Sequence, residues 1–144
     1  MANSVEDYST TAASNTGEFP ENQNPSTVND GMRKVQAHIA ALLDQLTGDC
    51  TVGGTVDAIT ATFSPAHTAH LDKRVIVIRA AGANATTTPT FKLDSLTAYN
   101  ITKNGNQSLS IGDIYGAGHQ LVLQYNSTNT VWELLNPAIG VPHG

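Results

Sequence analysis

Any chemistry in this chain has to come from a small set of side chains. His67 and His70, with Asp72 two residues on, form an H-x-x-H-x-D pattern in a Pro-containing turn. Two imidazoles and a carboxylate are ligands for zinc or iron. An i to i+3 pair converges only on a helix, and Pro65 with the apolar strand that follows argues for a loop. Both histidines therefore read as exposed polar loop residues, and threefold association is the one arrangement that would add ligands to them. Cys50 has Asp49 beside it and no basic neighbour, so nothing local lowers its pKa. It reads as a small half-buried residue at a helix-to-strand junction. Being the single cysteine, it also excludes an internal disulfide framework and a four-cysteine zinc site.

Other chemistries fare no better. No serine lies in a G-x-S-x-G context, no phosphate-binding or dinucleotide fingerprint is present, and Val52-Gly53-Gly54 reads as a tight turn. Asp94 and Asp113 are the carboxylates available as an acid–base pair, if the fold brings them together. Asn84, Asn100, Asn106 and Asn126 each start an N-x-S/T triplet, which in a chain this rich in Asn and Thr is compositional coincidence. Trp132, Tyr125, Tyr99 and Tyr115 offer faces for sugar stacking, but Trp132 alternates with Leu134, which favours core burial. The expectation is a protein that is not an enzyme and has no cofactor and no metal.

Composition points the same way. The 144 residues suit one domain, or one domain with an arm. Charged residues make up 13%, about half the usual share, and 18 Thr, 12 Asn and 9 Ser take their place. Seven Lys and Arg against 12 Asp and Glu give a net charge of −5, which argues against nucleic acid as a partner. No apolar run approaches the ~20 residues of a membrane span, and no apolar stretch follows basic residues near the start, so neither membrane insertion nor a secretion signal is expected.

Three segments of different chemistry must position these groups. Residues 1–25 hold four acids and no base, with Val5, Tyr8 and Phe19 spaced too irregularly for a helix stripe or a strand. Such a segment is either a solvated leader or an extended arm that docks on a partner. The expected docking residues are Val5, Tyr8, Phe19 and Pro20. Residues 25–48 form the one convincing helix, with Ser26 or Thr27 as N-cap and Gly48 as its terminator. Val28, Met32, Val35, Ile39, Leu42 and Leu46 fall at spacings of 4, 3, 4, 3 and 4, a heptad seam rather than a wider stripe. Gly31 and His38 lie outside that seam and Leu43 widens it. The seam predicts self-association over residues 26–48; the alternative is an amphipathic helix packed on its own domain. Residues 49–144 read as β-structure up to about 136. Ile59, Ala61 and Phe63 alternate with threonines, Val75-Ile76-Val77-Ile78 suits a strand covered on both faces, and Phe91, Leu93, Tyr99 and Ile101 continue the period-2 pattern. Asn104-Gly105-Asn106 is a turn, and Asn126-Ser127-Thr128-Asn129 joins segments 121–125 and 130–135 in a hairpin. The fold class expected is mainly β: an extended N-terminal arm, one α-helix with a coiled-coil-like seam, and a small antiparallel β-sandwich or barrel-like domain.

Several of these stretches resemble bacteriophage fibre proteins. Asp7-Tyr8-Ser9-Thr10-Thr11-Ala12-Ala13-Ser14-Asn15, followed by Ser26-Thr27-Val28-Asn29-Asp30-Gly31-Met32-Arg33, is similar to the D-Y-x-x-T-A-x-x-N arm and P-S-x-V-N-x-x-M/I-R helix that open many of them. Phe63-Ser64-Pro65-Ala66 and Ala80-Ala81-Gly82-Ala83-Asn84 with a Thr-rich turn resemble their S-P-A … A-A-G-A-N-T module, and the hairpin through Trp132, Glu133 and Leu134 matches its ending. The departure is Ala66-His67-Thr68-Ala69-His70-Leu71, where such modules usually carry a Gly and an aromatic.

The resemblance implies a homotrimer anchored in the virion by its arm, made in the host cytoplasm, with other head or tail proteins as partners. Because such fibres normally continue much further, it implies the base or adaptor of a fibre, or a short spike. That part would project its β-domain for host attachment or to carry a further fibre subunit. Two other readings stand beside it: a host-receptor or carbohydrate-binding module, and a capsid decoration or cement protein.

Overall fold

The computed structural model describes residues 4–15, 19, 20 and 22–138, and the chain divides into two compact units, residues 1–43 and 44–144.

In the first unit the expected extended arm is replaced by turns. Short 3-10 turns cover Val5–Asp7 and Ala12–Ser14. Asn15, just after the second turn, closes a polar ring with Ser9 between the two: its Oδ1 accepts the Ser9 N–H at 2.7 Å and its Nδ2 donates to the Ser9 carbonyl at 2.8 Å. Short Asn, Asp and Ser side chains compete in this way for their own backbone, which is why a polar segment bends instead of extending. Helix α1 spans Pro25–Thr47, about 34 Å at ~1.5 Å per residue. It starts at Pro25, so Ser26 and Thr27, the expected N-caps, lie inside the helix. Proline at the first helical position brings its own preset φ, and the Thr27 hydroxyl turns back to the Asn24 carbonyl at 2.7 Å.

The second unit begins with the last turn of α1, which ends as expected at Gly48. Gly48 has φ +78°, and the Gly48 and Asp49 N–H groups both donate to the Asp44 carbonyl, at 2.9 and 3.0 Å. Among the described residues eight strands follow: β1 Thr51–Gly54, β2 Ala58–Thr62, β3 Val75–Arg79, β4 Thr90–Leu93, β5 Tyr99–Lys103, β6 Gln107–Ser108, β7 Gln120–Asn126 and β8 Val131–Leu134. They form one nearly closed, barrel-like sheet in the order β1-β2-β4-β5-β8-β7-β3, with β6 appended to β5. This leaves β1 and β3 as its two edges.

The expected antiparallel arrangement needs correction, because β2 pairs with β4 and β5 with β8 in parallel. A parallel neighbour requires a crossover connection. The 27 residues between β2 and β4, which include β3, supply one. Val52-Gly53-Gly54 is also not a bare turn: it lies in β1, with Gly53 opposite Thr60 and Gly54 opposite Ile59. Glycine is required there, since Gly54 has φ +82° and a Cβ would stand 2.0 Å from the Ala58 carbonyl oxygen. The strands β2, β3, β4, β5, β7 and β8 fall where the sequence pattern placed them, while the two-residue β6 had no signal of its own. Ile59, Ala61, Phe63, Ile76, Ile78, Phe91, Leu93, Ile101, Leu121, Leu123, Trp132 and Leu134 meet in one core. The 126–129 turn joins β7 and β8 as read from the sequence.

Candidate functional site

The sequence seam on α1 divides by exposure. Met32, Ile39 and Leu46, seven residues apart, are 52, 56 and 46% exposed, and Leu43 is 59% exposed. Val28, Val35 and Leu42 are half-buried. The buried line of the helix is instead Gly31, His38 and Gln45, again seven apart. His38 and Gln45 are thus each buried within their own unit, while large apolar side chains of the same helix stay exposed. An amphipathic helix more often does the opposite. The charged neighbours on this helix add little; the Arg33–Asp30 pair, at 3.4 Å, is almost fully exposed.

His38 is only 6% exposed, and its Nδ1 is hydrogen-bonded to the Tyr8 hydroxyl, with the two rings 5.5 Å apart. Of the four expected docking residues, Tyr8 is therefore engaged within its own unit and Val5 is half-buried, while Phe19 and Pro20 are exposed. A tyrosine in the arm and a histidine thirty residues later carry no local signal of pairing.

In the second unit the His67, His70 and Asp72 constellation separates. His67 turns to Asp94, with Nδ1 2.8 Å from Oδ2, and to Gln45, with Nε2 3.1 Å from Oε1. Its ring meets Phe63 edge-on at 5.2 Å. His70 stacks on Tyr125 at 4.7 Å, with Tyr99 at 4.9 Å and Trp132 at 6.1 Å. Asp72 accepts the Ser127 N–H at 2.9 Å, and that bond holds its carboxyl below the usual range. The reading of both histidines as exposed loop residues is thus corrected: the loop folds each against a different part of the sheet, and each gains a partner or a stacking face. Among the described residues no group of three His, Cys, Asp or Glu side chains is placed to hold a metal ion.

The other candidates are committed to structure. Asp94 takes the N–H groups of Phe63 and His67, at 2.7 and 2.8 Å. Asp113 binds Lys103 Nζ and the Ser110 N–H, both at 2.6 Å. Cys50 is half-buried as expected, and burial first, then Asp49, pushes its thiol up, away from a reactive thiolate. The aromatic residues do not form one exposed face. Trp132 and Tyr125 are buried, with Phe91 edge-on to Trp132 at 5.0 Å, whereas Tyr115 is exposed. A stacking platform for sugar needs accessible faces, so the burial of Trp132 and Tyr125 weakens the carbohydrate reading. Asn84 is buried at 1% exposure, out of reach of any glycosylating enzyme in the folded chain.

Comparison with models of known protein families gave no match, and comparison with curated proteins gave none either.

Proposed function

We propose that the chain is a non-enzymatic structural protein of a phage particle, a trimeric fibre base or spike held by its N-terminal segment and carrying a β-domain. The observation that carries the reading is the row of large apolar side chains left in water on α1: Met32, Ile39, Leu43 and Leu46. A soluble chain gains by covering such a row, and identical heptad-spaced rows cover one another. Val28, Val35 and Leu42 complete the seam from its half-buried side.

The magnitude is consistent with assembly. Each of the four side chains is about half exposed, so covering them recovers roughly half of ~1.5–3 kcal/mol apiece, or ~3–6 kcal/mol per chain. Bringing copies together costs ~4–15 kcal/mol. The row alone therefore supports concentration-dependent association, and a firm trimer draws on the rest of the seam. The virion assignment itself rests on the fibre-like stretches in residues 7–91.

Its test is antibody labelling of particles with an antibody to the β-domain, viewed by electron microscopy. Labelling at one fixed position on the particle, lost when residues 1–25 are deleted, is the expected result. Chain found only free in the lysate would overturn the reading.

A further inference from the structure

His67 lies between two groups that only accept hydrogen bonds at the atoms facing it. Asp94 Oδ2 stands 2.8 Å from its Nδ1, and Gln45 Oε1 stands 3.1 Å from its Nε2. The Gln45 amide cannot be turned round. Its Nε2 donates to the Val75 carbonyl at 2.8 Å, and exchanging nitrogen for oxygen would set two carbonyl oxygens face to face. Both ring nitrogens must then donate, which only the imidazolium does. The surroundings suit a cation. The Asp94 side chain is 2% exposed and its lone pairs are met by the Phe63 and His67 N–H groups as well as by the ring. A buried ion pair is tolerated when its remaining bonds are satisfied in this way. The other ionisable groups that feel Asp94 are the Arg74 guanidinium and the Cys50 thiol.

His70, three residues on, is in the opposite condition. Its Nε2 is 3.1 Å from the Thr97 carbonyl oxygen, so that nitrogen carries a proton. Its Nδ1 is buried with no hydrogen-bond partner, and its ring lies nearly parallel to Tyr125, at 16°. A proton on Nδ1 would create a buried charged donor with no acceptor, at the full cost of its lost hydration. The rings packed on it are those of Tyr99, Tyr125 and Trp132, and none of them is a carboxylate that could pair with a charged imidazole.

We infer that the fold holds His67 as the imidazolium and His70 as the neutral tautomer protonated on Nε2. The charged His67 serves as a latch, tying the turn after β4 to the last turn of α1 and, through Gln45, to the carbonyl of Val75 on the edge strand β3. The inference is independent of self-association and of the virion reading.

The test is nitrogen-15 NMR of the histidine rings in the full-length labelled chain near neutral pH. Through-bond correlations within each residue assign the rings without recourse to a variant. His67 is expected to show two protonated ring nitrogens and His70 one protonated and one bare. A bare nitrogen on His67, or two protonated nitrogens on His70, overturns the assignment. Gln45→Met removes the acceptor at a similar side-chain length. It is expected to cost His67 its Nε2 proton signal while leaving His70 unchanged. A His67 ring indifferent to Gln45→Met would overturn the latch.

Discussion

Replacing Asn84 by alanine should come close to unfolding the β-domain, although Asn84 touches no candidate site. The side chain is 1% exposed and makes four hydrogen bonds to main-chain groups. Nδ2 donates to the Thr86 and Ser110 carbonyls at 2.7 and 3.0 Å, and Oδ1 accepts the Gly112 and Ile114 N–H groups at 3.1 and 3.0 Å. Thr86, Ser110 and Gly112 lie where water can take over, so each of those bonds is worth ~0.5–1.5 kcal/mol. Ile114 is fully buried, and its orphaned N–H costs ~1–3 kcal/mol. Together the loss is roughly 3–7 kcal/mol, against a total stability of ~5–15 kcal/mol. Thermal unfolding followed by circular dichroism should show Tm lowered by at least ~12 °C, taking ~4–8 °C per kcal/mol for a domain of this size.

Asn84→Asp separates the donors from the acceptor. It keeps the acceptor for Gly112 and Ile114 but points a carboxylate oxygen at two carbonyls. Burial and those carbonyls raise the folded pKa of the introduced group above its ordinary ~3.9. A raised folded pKa favours the fold where the group is protonated, so this variant should regain stability as the pH falls from 7 towards 4. A fall in Tm below ~4 °C for Asn84→Ala would refute the reasoning, because it would mean that the Ile114 N–H finds another partner.

Two further outcomes follow from local geometry. Gly54→Ala should destabilise strongly, with loss of the β1–β2 pairing visible as fast amide exchange at 51–54. Its Cβ would lie 2.0 Å from the Ala58 oxygen at a φ of +82°, and slow exchange there would contradict the strand geometry. Cys50 should alkylate more slowly than a free thiol at pH 8. Burial and Asp49 raise its pKa, so the thiolate fraction is small at that pH and the rate should climb only at higher pH. A rate equal to that of the unfolded chain would show the thiol to be open.

What could be read from the sequence was what repeats locally. The alternation of Ile59, Ala61 and Phe63, the run Val75–Ile78 and the Asn104-Gly105-Asn106 turn each carry their period or turn chemistry within a few residues. So does the C-terminal end of α1 at Gly48, whereas the expected caps Ser26 and Thr27 lie inside the helix. The β1 strand escaped because two glycines in four residues erase the alternation, and only pairing with Thr60 and Ile59 makes it a strand. The parallel pairs escaped because period-2 patterns are blind to strand direction. The histidines were misread for a related reason. Their partners lie far along the chain: Asp94 is 27 residues from His67, and the Val75 carbonyl is 30 from Gln45. One signal was present. Asp94 follows a β-strand at φ +51°, a position that short polar side chains favour, and a carboxylate there is well placed to bond backbone N–H groups of a neighbouring loop. On α1 the heptad spacing was legible, but which of its positions stay exposed was not, because spacing alone does not say that His38 and Gln45 are buried.

The central claim is that the apolar row on α1 joins copies of the chain. Its most direct test is the solution mass by light scattering on a sizing column, over a range of concentrations. The natural chain is compared with Ile39→Asp and with Ala37→Asp, an exposed helix position outside the row. The account predicts three times the 15.1 kDa chain mass for the natural chain and for Ala37→Asp, and the single-chain mass for Ile39→Asp with its helix content retained. A natural chain that stays at 15.1 kDa at every concentration, or an Ile39→Asp variant that assembles as before, would contradict it.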